Sequence, residues 1–422
     1  MAILVSESTL GVMNKNMNKN TAPRQRALVV GLGVSGIASA LRLHKAGWDV
    51  VVLEKAAERR SGGYFIGLFG TGIAAAERLG IELPDRLSAD IATYNVDRAD
   101  RRRRAMNFTD AVPGRARLVV RGDIEDGAFH ALPEDVEIRY SSVPVALRQD
   151  DDGVEVDVED RAAATATTER FDLVVGADGL RSTVRRLAFG PDEGRIHRLG
   201  YMIAACSLPG PAPGYRLKEG IIMAEQGRSA WVFPFADRAP TVLFNYRTDD
   251  VDAEFTRPAI DSLRARFGPE PTGGTLGWLL DRFEQAPDHL FDSAEQVRLD
   301  RWHQDRVVLV GDAAWCLTLY SGMGASTGLA GADMLGTMLE RYPGEVPRAL
   351  RAWEAKLRPF IEYHQGTGMA MRRLFVPADP TEYRIRSVMN RVMATRPGRE
   401  FLSKRRHRSE SSRMKTIDIA LA

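Results

Sequence analysis

Arg306-Val-Val-Leu-Val-Gly-Asp-Ala-Ala-Trp-Cys-Leu-Thr-Leu-Tyr-Ser-Gly-Met-Gly-Ala-Ser326 is the stretch from which the rest of the chain can be read. It opens as an apolar, β-branched run, passes through Gly311-Asp312, crosses a loop and enters a helix at Gly322-x-Gly324 that the residue pattern carries to about Glu340. That is a buried strand, a turn bearing one carboxylate, and a helix N-terminus. The first N–H groups of a helix have no partner within it, so they present donors and the positive end of a dipole. Gly322 and Gly324 let backbone approach a ligand closely, with Ala325 and Ser326 in the same first turn. Asp312, directly after the strand, is placed to accept hydrogen bonds from hydroxyls of that ligand. A carboxylate for a sugar-like chain beside donors for an anionic ring matches the needs of a flavin, at its ribityl hydroxyls and its reduced N1–C2=O edge.

Two further stretches point the same way. Ala27-Leu-Val-Val-Gly31-Leu-Gly33-Val34-Ser35-Gly36 is a strand running into Gly-x-Gly-x-x-Gly at a helix start. Asp49-Val-Val-Val-Leu-Glu54 follows as a second strand ending in an acid, 18 residues past Gly36, with Lys55 next to it; an acid at that distance holds the ribose of a dinucleotide. Phe171-Asp-Leu-Val-Val-Gly-Ala-Asp178-Gly179-Leu-Arg181-Ser182-Thr-Val-Arg185 is another buried strand feeding a turn and a basic helix. One glycine-rich fingerprint is weak evidence; three motifs in this order, at spacings that build one cofactor site, are far more specific.

The combination resembles the class A flavoprotein monooxygenases, the group of para-hydroxybenzoate hydroxylase and the tetracycline-inactivating monooxygenase, whose three motifs are the dinucleotide fingerprint, an Asp-Gly motif and a Gly-Asp motif. The resemblance runs from about Arg26 to Glu340. It implies an α/β fold: a Rossmann-type, glutathione-reductase-like FAD-binding domain, an inserted mixed β-sheet substrate domain and a C-terminal helical segment. The expected division is a disordered leader over 1–24, a discontinuous FAD-binding domain over 25–84, 115–190 and 300–345, a substrate domain over 85–114 and 191–299, and C-terminal helices over 346–422.

It also implies a chemistry. NAD(P)H, lacking a second Rossmann cradle, would bind transiently and reduce FAD, and a flavin C4a-hydroperoxide would hydroxylate or epoxidise an aromatic or polycyclic small molecule. In Leu118-Val-Val-Arg121-Gly-Asp123 the Arg matches the one that contacts FAD near the flavin, and Asp178-Gly179 matches the motif that touches FAD on the route of the nicotinamide. A basic residue and glycines in Arg59-Arg60-Ser-Gly62-Gly63 match those lying along the pyrophosphate; a solvated loop is the competing reading. Arg185 either pairs with a pyrophosphate or is structural. Three departures stand out: Trp315 where the family usually has His, Leu319 where it has Pro, and Ser326 where Asn is frequent. The Leu319 change bears on oxygen activation more than on FAD binding. Same-fold alternatives are a flavin dehydrogenase or oxidase, or a halogenase, whose Trp-x-Trp-x-Ile-Pro signature Trp231-Val-Phe-Pro234 matches only in part. A non-turnover FAD-binding scaffold is the alternative of another class.

Composition fits this reading. The 422 residues, 44% hydrophobic and 27% charged, are those of an ordinary globular protein large enough for two domains, and a net charge of +2 gives no reason to expect nucleic acid. Cys206 and Cys316 are the only cysteines and lack ligand spacing, and no His-Glu-x-x-His or Gly-x-Ser-x-Gly occurs, so no metal site, zinc chemistry or acyl transfer is expected. No stretch is long and apolar enough for a signal or a membrane span, and a cytoplasmic location is expected. Residues Met1 to Ala22 are polar and poor in aromatics, with Met13 and Met17 as alternative starts. The charge run Asp97 to Arg104 reads as a solvated turn. From about Arg195 to Leu299 strand patterns return, at Arg198 to Cys206, Gly220 to Ala224, Ser229 to Phe235 and Thr241 to Arg247, and Trp231, Phe233 and Phe235 share one strand face, either as core or as an aromatic substrate wall. The tail after Glu340 reads as helical and basic, with Lys404 to Arg408 close to the end, and as a cap over the FAD domain followed by a frayed terminus.

Overall fold

A computed structural model describes residues 24–59, 63–84, 86, 91–105, 116–268, 270, 273–395 and 409–421. Residues 1–23 of the expected leader, Arg60, Gly62 and the Lys404 to Arg408 cluster lie outside them.

A six-stranded sheet forms the centre. Its order is His303–Gln304, Val307–Leu309, Leu173–Gly176, Arg26–Val30, Asp49–Leu53, Glu137–Arg139, all parallel except the first pair. Ala27 to Val30, Val50 to Leu53 and Val307 to Leu309 are buried, as a parallel sheet covered on both faces requires. Helices cover one face. The antiparallel meander Ser142–Gln149, Val154–Asp160 and Thr165–Phe171 turns Val154, Val156 and Val158, spaced by two, into the same core.

Helix Gly324–Arg341 is the element on which the helical layer packs. At three of its close contacts it has no side chain: a Cβ on Gly328 would lie 2.4 Å from Ser35 Oγ, on Gly331 2.9 Å from the Trp315 ring, and on Gly336 2.4 Å from Arg42 Cγ. Across from it, a Cβ on Gly72 of helix Gly70–Leu79 would lie 2.6 Å from Ser326 Cα. Such backbone-close contacts give dense packing and lock the layer. Asp333, almost fully buried, adds ion pairs to Arg42 (3.5 Å) and Arg78 (2.6 Å), tying helix Val34–Lys45 to helix Gly70–Leu79. Trp302, Trp315 and Trp353 pack together below it, so the residue replacing the family's His is core.

The second large sheet is seven-stranded and mixed: Leu290–Val297, Ile196–Ser207, Thr241–Arg247, Arg228–Phe233, Glu219–Glu225, Ala92–Val96, Arg102–Arg104. One face carries Ala204, Cys206, Val232, Phe244 and Tyr246, buried against helices Ala259–Phe267 and Gly274–Glu284. By alternation the other face carries Ile203, Trp231, Phe233 and Leu243, a separate apolar cluster.

The structure corrects four expectations. Arg102–Arg104 is an exposed edge strand rather than a turn; charged side chains suit an edge because they oppose further pairing. The 191–299 stretch holds the helices just named, where the sequence reading gave strands alone. Phe235 lies beyond its strand, which ends at Phe233 before Pro234, a residue without an N–H to donate. The terminus is docked, not frayed: Ile419 is buried, its N–H donates to Thr71 Oγ1 (3.4 Å), and Asp418 pairs with Arg78 (2.6 Å). No described helix is long and apolar enough to cross a membrane.

Two glycines test this packing with opposite signs. Gly72→Ala should destabilise by about 1–3 kcal/mol, because its Cβ meets backbone that cannot swing aside. Gly366→Ala, exposed inside helix Val346–Phe375 with nothing near its Cβ, should stabilise by up to about 1 kcal/mol. Urea denaturation reads both; a neutral Gly72→Ala would contradict the close approach.

Candidate functional site

A cavity of about 590 Å³ opens between the two large sheets. Its floor is made where strands of the parallel sheet end. Gly33, Val34 and Ser35 from the fingerprint, Gly179 from the second motif, and Asp312, Leu319, Gly322, Gly324 and Ala325 from the third all line it, with Arg121. Its roof is the apolar sheet face with Trp231 and Phe233.

The fingerprint glycines divide by role. Gly31 has φ +106°, and a Cβ there would lie 2.5 Å from the Ala177 carbonyl; a Cβ on Gly36 would lie 1.9 Å from the Gly31 carbonyl. Both are demanded by the protein's own packing. Gly33 has nothing within 3.7 Å of its Cβ position, and the helix it precedes has no side-chain cap and no acid in its first turn. Open space beside uncapped N–H groups is a cradle for an anion such as a pyrophosphate. The same holds at Gly324: the nearest atom to its Cβ position is Asp312 Oδ1 at 3.8 Å, and helix Gly324–Arg341 also lacks a side-chain cap.

Glu54 sits at the end of its strand, its carboxylate accepting from the Leu32 N–H (2.9 Å) and the Ala56 N–H (2.8 Å), with Lys55 exposed beside it. Four lone-pair directions less two leave room for ribose hydroxyls. Arg121 starts helix Arg121–His130; it faces Glu125 at 3.7 Å, and its buried Nε has no partner among the described residues. Burial pushes the Glu125 carboxyl up, and Arg121 partly offsets this. Asp312 is open to the cavity and otherwise enclosed by protein. That enclosure raises its carboxyl above the usual range, against the opposing pull of the Cys316 thiol and Arg121. Tyr64, also lining the cavity, is pushed up to about 12 by burial.

Several of the expected contact residues hold the scaffold. Asp178 is absent from the cavity wall; its carboxylate accepts from Ser182 Oγ (2.5 Å), Thr183 N (2.6 Å) and Val184 N (3.1 Å), so it caps helix Thr183–Phe189. Ser326 accepts from the Phe69 N–H (3.0 Å) and is absent from the cavity wall. Gly311, at φ +68°, makes way for Ser35, whose Oγ would be 2.2 Å from a Cβ there. Arg185 is structural: fully buried, it pairs with Asp192 (2.7 Å) and donates to the carbonyls of Leu180 (2.6 Å) and Ala313 (2.9 Å), tying the second motif to the third. Arg59 pairs with Asp126 at 2.5 Å and lies over Phe129, away from the wall. Thr318, just before Leu319, is held at φ +68°, ψ 152°, a conformation that costs a non-glycine residue about 1–3 kcal/mol.

The sequence reading missed half of the roof. Phe65 stacks on Phe233 with centroids 4.0 Å apart, Phe233 lies 6.0 Å from Trp231, Trp231 5.0 Å from Phe375, and Phe375 5.9 Å from Tyr320. Phe375 ends helix Val346–Phe375, and helix Pro380–Ala394 adds Arg386, Met389 and Asn390. Phe65 next to the Gly62-Gly63 segment was a usable signal; nothing local marked the C-terminal residues.

The description FAD binding domain matches residues 24–360. The chain belongs to that family. FAD is its cofactor, and it is an oxidoreductase of the flavin monooxygenase group. Among relatives, an uncharacterised protein of Mycobacterium tuberculosis is 30% identical over 361 residues, 80% of this chain and 91% of its own. A flavin-dependent monooxygenase of Legionella longbeachae is 26% identical over 377 residues, 86% of this chain and 92% of its own. The tetracycline destructase Tet(55) superposes with TM-score 0.72 at 25% identity, over 89% of this chain and 97% of its own. Klebsiella pneumoniae HpxO, complexed with FAD and uric acid, shares the fold at TM-score 0.71 and 18% identity, over 93% and 97%. The two open helix N-termini, the unpartnered Arg121 Nε and the Asp312 carboxylate fit that cofactor.

Asp312 carries a prediction with two signs. A carboxyl whose folded pKa is raised weakens the folded state as pH climbs through its titration, so Asp312→Asn without FAD should unfold at no lower urea concentration than the parent at pH 7. That advantage should vanish below pH ~4, where the parent's carboxyl is neutral too. FAD should bind the variant roughly ten- to a hundredfold more weakly, through loss of a charge-assisted acceptor. Unchanged FAD affinity would remove Asp312 from the cofactor contact.

Proposed function

We propose that this enzyme uses NAD(P)H and dioxygen to hydroxylate or epoxidise an aromatic or polycyclic small molecule. The observation that carries the reading is the continuous aromatic wall Phe65–Phe233–Trp231–Phe375, facing the same cavity as the helix end at Gly324 and the Asp312 carboxylate.

In this reading segments 25–84, 115–190 and 300–345 hold the cofactor, while 85–114 and 191–299 close over it. Glu54 accepts from the adenosine ribose, and the N–H groups after Gly33 bind the pyrophosphate. Asp312 accepts from the ribityl chain. The N–H groups of Gly324 and Ala325 donate to the pyrimidine edge, where negative charge gathers on reduction, and the dipole of an 18-residue helix adds to that stabilisation. Arg121 supplies a positive charge beside the same ring system. Bound FAD would take two electrons from the nicotinamide and supply them to activate dioxygen, one atom of which enters the substrate while the other leaves as water. The wall's rings orient a flat substrate by offset stacking and keep water from the reacting atoms. The single dinucleotide fingerprint leaves the nicotinamide to visit transiently, past Gly179 and Leu180 at the cavity edge.

The test is turnover under 18O-labelled dioxygen across a panel of phenols, indoles and polycyclic enols. A compound that accelerates NAD(P)H oxidation should leave with one labelled oxygen atom. An unlabelled oxidised product with stoichiometric hydrogen peroxide would make the enzyme an oxidase. Product formed without oxygen would make it a dehydrogenase.

A further inference from the structure

Helix Pro380–Ala394 is turned inside out. Arg386, Met389 and Asn390 line the cavity, while Ile385, Val388 and Val392 are exposed. An amphipathic helix packed only for burial does the reverse. Arg386 is 8% exposed. Its Nε donates to the Leu374 carbonyl (3.1 Å), and its guanidinium lies 5.9 Å from the Trp231 ring centroid.

No carboxylate pairs with Arg386 among the described residues. Glu382 stands one turn earlier on the same helix, at the favourable spacing, yet its oxygens are taken by Arg372 (2.6 and 3.0 Å), Arg373 (3.1 Å) and the Ala378 N–H (2.7 Å). Of the four carboxylates on the cavity wall, Asp292 pairs with Arg181 (2.8 Å), Glu295 lies 3.9 Å from Arg198, Glu125 faces Arg121, and Asp312 makes no ion pair with Arg386. Desolvation lowers the Arg386 pKa to about 10, so it is still charged at neutral pH. A buried charge without a counter-ion is unfavourable, and its terminal nitrogens form a fork that fits two oxygens in one plane.

We propose that Arg386 is the anion-recognising residue of the substrate pocket, and that the substrate is a flat aromatic molecule bearing an anionic oxygen: a carboxylate, phenolate or enolate. The ring system stacks along Trp231 and Phe375, and the anionic edge meets the guanidinium. Asn390, one turn further along the same cavity-facing side, offers an amide to a neighbouring oxygen. The proposal rests on the aromatic-substrate reading above and adds to it a charge and an orientation.

The experiment is equilibrium binding to the FAD-loaded enzyme without nicotinamide, read from the flavin absorbance change. The probes are matched pairs: 2-naphthoate with 2-naphthamide, anthracene-2-carboxylate with its amide, and ionised 2-acetyl-1,3-indandione with its enol methyl ether. The anionic member of at least one pair should bind about ten- to a hundredfold more tightly. Arg386→Met should abolish that preference while FAD content and affinity for the neutral member stay as they were, and Arg386→Lys should keep part of it. Arg386→Gln, which retains a donor for the Leu374 carbonyl, gives the same reading if the Met variant does not fold. Equal binding within every pair, no binding by any probe, or a preference that survives in both neutral variants would overturn the proposal. Because no turnover is involved, an Arg386-dependent preference without oxygen insertion would sink the monooxygenase reading alone. Labelled product from neutral substrates, with no anion preference, would sink this one alone.

Discussion

Ser35 sits where two glycines leave it room. Its hydroxyl occupies the space that side chains at Gly311 and Gly328 would fill, and this contact brings the first helix of the nucleotide fold against the helix that follows the third motif. Because the two helices meet there, both uncapped N-termini reach one cavity, Gly33 on one side and Gly324 on the other. The dipoles of both then point toward a single cavity. Asp333 and Arg185 fasten the arrangement at longer range, the first between helices and the second between the two later motifs.

The site gathers the features that a fold built for stability alone would avoid. Asp312 leaves a carboxylate open to the cavity, and Thr318 holds a backbone conformation suited to glycine; among the described residues a guanidinium nitrogen of Arg121 lacks a partner and Arg386 has no counter-ion. The charged groups that hold the scaffold are engaged several times over: Arg185, Asp178, Glu382 and Asp333 each meet more than one partner. Charged groups left open on one cavity suit a ligand that completes the structure. The aromatic roof belongs to the same pattern, since its rings stack on one another yet leave a face to the cavity.

The cofactor half was legible in the sequence because its signals are local. A parallel strand, a tight glycine turn and a helix start follow one another within a dozen residues, and chain geometry forces the rest. What the side chains do there was less legible: Asp178 and Ser326 stand in motif positions, but only the packed structure shows that their oxygens serve a helix cap and the Phe69 N–H. The roof was read through alternation, which identified Trp231 and Phe233. It failed at Phe235, where Pro234 breaks the strand, and at Arg102–Arg104, where a charge run is an edge strand. Helices Ala259–Phe267 and Gly274–Glu284 were lost under the strand pattern around them, although Leu276, Leu279, Leu280 and Phe283 have helical spacing. Helix Pro380–Ala394 reads backwards, since pattern alone assigns its arginines to solvent and its Ile and Val to the core. Tertiary contacts with Trp231 and Phe375 decide otherwise.

The central claim is that one cradle, made where the two helix ends converge beneath the aromatic roof, holds FAD with its ring system between Gly324 and Trp231. A crystal structure of the FAD-loaded enzyme tests this most directly. The account predicts the adenosine ribose at Glu54, the pyrophosphate over Gly33, the ribityl chain at Asp312, and the pyrimidine edge within hydrogen-bond distance of the Gly324 and Ala325 N–H groups. Density for the ring system outside this cavity, or a pyrimidine edge turned away from that helix end, would contradict it.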